Sequence, residues 1–120
     1  MHTIASLLIP ILLAGLTPSR SPSLSETKPY YEGFHQGQGY RSYLVKAKRL
    51  NDQRWQVTVK SVADPPKPHE KPFYWINVVD CQKQTVGEGT SQRPIPKDWR
   101  DSSEKGLPEL YEAVCGKKPV

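Results

Sequence analysis

A chain of 120 residues, 36% of them hydrophobic, has room for one domain with a thin core. Twelve prolines against eight glycines exclude dense helical packing and point to long rigid loops. The net charge of +5 and pI near 9.3 come from seventeen Lys and Arg residues, all at or after Arg20. Such an excess bears on solubility and non-specific attraction to anionic surfaces before it bears on any particular partner.

Ile4 to Leu16 is an apolar run about as long as a secretory h-region and short for a bilayer span. We read residues 1–19 as a signal peptide, with Thr17 and Ser19 as the small residues before the cut; an uncleaved membrane anchor is the alternative. No cysteine follows the run, which argues against a lipid anchor. Residues 20–29 are rich in Ser and Pro, show no periodic apolar pattern and are expected to form a disordered linker. The single domain then spans 30–120.

Tyr30 to Tyr40 mixes the aromatics Tyr30, Tyr31, Phe34 and Tyr40 with three glycines. Two readings stand: rings exposed for stacking on sugars or gripping a protein partner, or rings covering one edge of the core while the glycines turn. From Tyr40 to Leu50, Tyr43, Val45 and Ala47 alternate with Ser42, Leu44, Lys46 and Lys48, the pattern of a half-buried strand. After a turn at Asn51-Asp52-Gln53, Trp55, Val57 and Val59 repeat the alternation, so the two runs form a hairpin. On that hairpin Lys46, Lys48 and Lys60 share a solvent face, with Arg49 and Arg54 near the turn. Such a face binds an acidic polymer or lipid head groups, or is only a solvated, aggregation-resistant sheet surface.

Asp64 to Pro72 holds four prolines and is read as a stiff connection. Its Pro65-x-x-Pro68 matches a proline-motif core, although readers of that motif are mostly intracellular. His69 and Glu70 stand without a third metal ligand nearby. Phe73 to Cys81 is rich in aromatic and β-branched residues and is apolar at both alternating sets, which predicts a central strand covered on both faces. Gln84 to Thr90 is expected as a short edge strand whose glycines mark a bend or bulge, and Gln92 to Arg100 as a loop carrying Trp99. The final helix starts near Ser102 or at Pro108. Its apolar face is Leu107, Leu110, Tyr111, Val114 and Cys115, and Gly116 ends it.

Two cysteines without C-x-x-C spacing in an exported chain read as one disulfide, Cys81–Cys115, with free thiols as the alternative. The bond would stabilise the fold by about 3–4 kcal/mol. The chain as a whole is therefore α+β: a small antiparallel sheet of three to five strands with one C-terminal helix, stapled by a single disulfide.

Trp55-Gln56-Val57, Val79-Asp80-Cys81 closing an aromatic-rich strand, Gly87, Trp99, Ser102 or Ser103, and Val114-Cys115 together resemble the small secreted bacterial domains of the surface-adhesin protein E family. The likeness runs over roughly residues 54–115. It implies a small antiparallel sheet with a helix, makes Asp80-Cys81 part of a framework pattern, and suggests an adhesin-like role. The expectation is an exported, non-catalytic envelope or extracellular binding module, secreted or periplasmic. Its partner would be an unknown protein or an anionic envelope component. Two alternatives remain: an electrostatic binder of anionic envelope polymers or lipid head groups, and a small secreted enzyme. No Ser/His/Asp set, Cys/His pairing, His-rich metal motif or phosphate-binding glycine loop can be assembled. No catalytic residue, cofactor or metal ligand is therefore assigned, and neither specific nucleic-acid binding nor a membrane span after processing is expected.

Overall fold

The computed structural model describes residues 21–90 and 95–120; the signal peptide expected over 1–19 lies outside them. Six strands follow one another as an antiparallel meander: β1 (Tyr31–His35), β2 (Gln38–Arg49), β3 (Arg54–Asp64), β4 (Phe73–Asp80), β5 (Thr85–Gly89) and β6 (Trp99–Asp101). Their spatial order is their chain order, and the sheet curls into a half-barrel. One short helix, α1 (Pro108–Cys115), lies against its concave face. Among the described residues no helix is long and apolar enough to cross a membrane.

The β2/β3 hairpin forms where the alternation places it. Its turn is held by Asn51, whose Oδ1 accepts the backbone N–H groups of Gln53 and Arg54, both at 2.9 Å, the local side-chain bond that makes asparagine a turn residue. The phase of β2 differs from the sequence expectation. Ser42 and Leu44, not Tyr43, are buried, and a register shift between Leu44 and Lys46 then brings Ala47 onto the same face. An extra residue in one strand moves every later side chain to the other face, so no single period-two pattern describes this strand.

Residues directly opposite in an antiparallel pair share a face. Leu44 faces Val59, Ala47 faces Val57, Trp55 faces Val79, and Val79 faces Val86. This concave set packs with Leu110, Tyr111 and Val114 of α1, and each fully buried aliphatic side chain contributes about 1.5–3 kcal/mol. Pro108 occupies the first turn of α1, and Gly116 caps its end at φ 76°, a left-handed conformation that glycine adopts without strain. Cys115, the last helical residue, is bonded to Cys81 immediately after β4, so the bond ties the helix end to the centre of the sheet.

Four expectations are corrected. The sheet has six strands rather than three to five, because the aromatic–glycine stretch and the segment around Trp99 each contribute one. β1 joins β2 through Gln36 and Gly37, both at positive φ (53° and 80°), as a tight two-residue hairpin turn requires. Second, β4 is central but covered on both faces only over Asn77–Asp80; Phe73, Tyr74 and Trp75 are 57%, 60% and 40% exposed. For Phe73 and Trp75, which share the concave face with α1, the reason is length: eight helical residues reach about 12 Å, whereas the eleven of β3 extend about 37 Å. Third, residues 21–29 do not behave as a free linker. Ser23 N–H donates to the Ala113 carbonyl (3.0 Å) and Ser25 N–H to that of Leu44 (2.9 Å), so this stretch runs between helix and sheet. Fourth, Gly87 marks a close approach rather than a bend, since β5 pairs without a register shift. A Cβ at Gly87 would fall on the Pro96 ring.

Candidate functional site

The part of the concave face that α1 does not reach forms a cleft of about 440 Å³. Register explains its walls. Tyr31 lies opposite Ser42, Gly33 opposite Tyr40, Ser42 opposite Ser61, and Ser61 opposite Phe73, with Trp75 two residues further along β4. All of these positions therefore lie on the same face, and they line one concavity together with Tyr30 and Gly106. Long strands continuing beyond a short helix leave such a face uncovered.

Several polar atoms of the cleft are satisfied within the protein. Trp75 Nε1–H donates to Asn77 Oδ1 at 2.8 Å, and the Asn77 amide in turn donates to the Gly87 carbonyl at 3.3 Å. The indole therefore offers its ring, rather than its N–H, to an incoming group. On the floor, the Ser42 and Ser61 hydroxyls lie 3.3 Å apart, and the Tyr30 phenol bonds to Ser42. Burial pushes the Tyr30 phenol well above its ordinary range, with the field of Glu109 adding to the effect and the Ser42 bond opposing it. Tyr30 thus stays neutral, and the cleft presents aromatic surface with a neutral hydroxyl base. Such a site favours ring stacking and apolar contact over charge capture.

Of the aromatic residues singled out in the sequence, Tyr30, Tyr31, Phe34 and Tyr40 all line this cleft, and Phe34 is 84% exposed. Tyr30 also packs on the core. The basic residues do not form one surface. Lys46 and Lys48, opposite Thr58 and Gln56 on the convex face, are exposed. Lys60 is largely covered and stands 3.9 Å from Glu26. Arg49 lies on the concave face, 4.9 Å over the Trp55 ring. Arg54 lies 4.8 Å over Trp99 and donates to Asp80 at 2.9 Å.

Asp80 is 3% exposed. Burial opposes its ionisation, but the N–H groups of Lys83 and Gln82 (2.9 and 3.0 Å) and the Arg54 guanidinium outweigh it and hold the carboxyl below its ordinary value. Both of its oxygens are engaged by neighbouring groups of the protein. The Asp80-Cys81 pair is framework at the opposite end of β4 from the cleft, and Tyr111 donates its hydroxyl to the Cys81 carbonyl at 2.8 Å. Among the described residues no three His, Cys, Asp or Glu side chains are grouped to hold a metal.

Sequence reasoning missed Phe73, Trp75, Ser42 and Ser61. A usable signal lay in β4 itself: its first half, Phe-Tyr-Trp, is aromatic and includes the amphipathic rings of Tyr74 and Trp75, while Val78-Val79 is purely aliphatic. Tyr and Trp keep a polar edge and are less often fully buried than Val.

Fold and cleft together define a small disulfide-bonded antiparallel half-barrel with an aromatic concave site. Compared with protein-family models, with curated proteins and with solved structures, the chain matches none of them.

Proposed function

We propose that the protein is an exported, non-catalytic binding module that holds an apolar or aromatic part of its ligand in the cleft. The observation that carries this reading is the convergence of Tyr31, Tyr40, Phe73 and Trp75 from three strands onto one open concave surface. Rings ordered by a sheet present large contact area at little entropic cost. The Cys81–Cys115 bond supports an oxidising compartment. The likeness to surface-adhesin protein E domains supports an adhesin-like role. Its residues Trp55, Asp80, Cys81, Gly87 and Cys115 belong to the framework end of the molecule, so the ligand is left to the cleft end.

The test is binding to peptide and glycan arrays by wild type and by a Tyr31→Ala/Phe73→Ser variant, with Lys46→Glu/Lys48→Glu as the comparison. Both cleft positions are partly or largely exposed, so the first variant should fold. Loss of about tenfold or more in affinity from the cleft variant alone is expected. Equal binding by the cleft variant, or loss only in the lysine variant, would overturn the reading in favour of the basic convex face.

A further inference from the structure

Resting on that reading, we infer that the occupant of the cleft is an extended acidic peptide segment that adds to the sheet along the free edge of β1. Three features of the molecule meet there.

The first is an unprotected edge. Among the described residues β1 pairs with β2 alone, so one side of its backbone has no strand partner among them. Exposed edges are ordinarily blunted by Lys, Pro, a bulge or extreme shortness. The opposite edge, β6, has only three residues. β1 has five, in the sequence Tyr-Glu-Gly-Phe-His, and its register with β2 is unbroken. Its single charged side chain, Glu32, is engaged by Arg41 at 3.7 Å.

The second is the position of the cleft. A strand added to β1 places every second side chain on the concave face, beside Tyr31 and His35 and toward Phe73 and Trp75. Backbone pairing and side-chain capture therefore act on one ligand at once.

The third is charge. Lys28, Lys71 and Lys105 each lie one or two residues from a cleft-lining residue, namely Tyr30, Phe73 and Gly106, and all three are exposed. The neighbouring carboxylates are already engaged: Glu26 with Lys60, Glu70 with Lys67, and Glu104 with Arg100. Glu109 adds a negative field at Tyr30. The balance around the cleft is positive and complements a negative segment, whereas a second copy of this chain would bring the same lysines and a net +5.

The experiment titrates the protein with an acetylated, amidated heptapeptide, Glu-Val-Glu-Phe-Glu-Val-Glu. It is read by calorimetry and by the amide NMR shifts of β1, at about 0.05 and 0.5 M salt. Two isomers N-methylated at alternate amides test edge pairing, because each removes the donors from one side of the peptide only. A peptide with Lys for Glu tests charge. The expected results are shifts along β1, loss of about tenfold in affinity for one methylated isomer but not the other, and weaker binding of the lysine peptide. Equal binding of both isomers would overturn strand addition, and equal binding of the lysine peptide would overturn the acidic preference. Either result leaves the cleft reading standing if Tyr31→Ala/Phe73→Ser still abolishes binding. No binding by any of these peptides overturns the inference, while the array comparison separately decides the cleft. Concentration-dependent dimerisation seen by sedimentation, with shifts confined to β1, would assign the edge to a second copy and overturn the peptide as well.

Discussion

Replacing Asp80 by Asn isolates what one buried charge contributes to this fold. The carboxylate is 3% exposed, and its Oδ2 accepts from Arg54 Nε at 2.9 Å, while Oδ1 accepts the N–H groups of Gln82 and Lys83. An asparagine oxygen keeps the two backbone bonds, but its amide turns donors toward the guanidinium. The loss is then one charge-assisted bond, about 1.5–3 kcal/mol. Removing one member of a fully buried pair costs about 3–5 kcal/mol. Arg54 remains partly wet, at 27% side-chain exposure, and keeps Trp99 beneath it, so the lower range applies and about 2–3 kcal/mol is expected. The assay is urea unfolding, where this corresponds to a midpoint shift of about 1–2 M. The pH dependence follows from the sign of the perturbation. Because the folded carboxyl titrates below its unfolded value of about 3.9, its stabilisation is fully present above that value. It is lost as pH falls through the folded value. The gap between wild type and Asp80→Asn should therefore be constant near neutrality and close on acidification below about pH 4. A gap that persists unchanged at low pH, or a substitution costing under about 1 kcal/mol, would refute the assignment of Asp80 as an ionised framework group.

Two further stability outcomes follow from the framework end of the molecule. Replacing Cys81 and Cys115 by Ala releases a loop of sequence separation 34 and should cost about 4 kcal/mol in urea unfolding on the chain-entropy account; a cost below about 1 kcal/mol would show that the helix end is held by packing alone. Gly87→Val drives a side chain into the Pro96 ring and toward the Asp98 carbonyl. It should lower stability by about 1–3 kcal/mol and alter the fluorescence of Trp99, which faces Gly87 across the β5/β6 ladder. An unchanged thermal midpoint would show that this contact is not tight.

The sequence by itself determined the elements whose signals are local. Trp55, Val57 and Val59 alternate cleanly and form β3, Asn51 closes the hairpin through its own side chain, and Pro108 and Gly116 bound a helix whose face is read from Leu110, Tyr111 and Val114. Two cysteines offer a single intramolecular pairing, so the sequence named Cys81–Cys115 as the candidate bond, and the structure forms it. Tertiary structure alone decided the phase of β2, because the extra residue between Leu44 and Lys46 reverses an alternation that looks regular in the chain. It also decided that Tyr-Glu-Gly-Phe-His is a strand, since only pairing with β2 supplies its ladder, and that Trp-Arg-Asp is one too, being shorter than any readable period. The cleft belongs to this second group. Whether Phe73 and Trp75 are core or surface depends on how far α1 reaches, and a helix rises about 1.5 Å per residue where a strand rises about 3.4 Å. Eight helical residues cannot cover strands of eleven and twelve. The rings beyond its end are left open by that difference in pitch, a quantity that no local sequence pattern encodes.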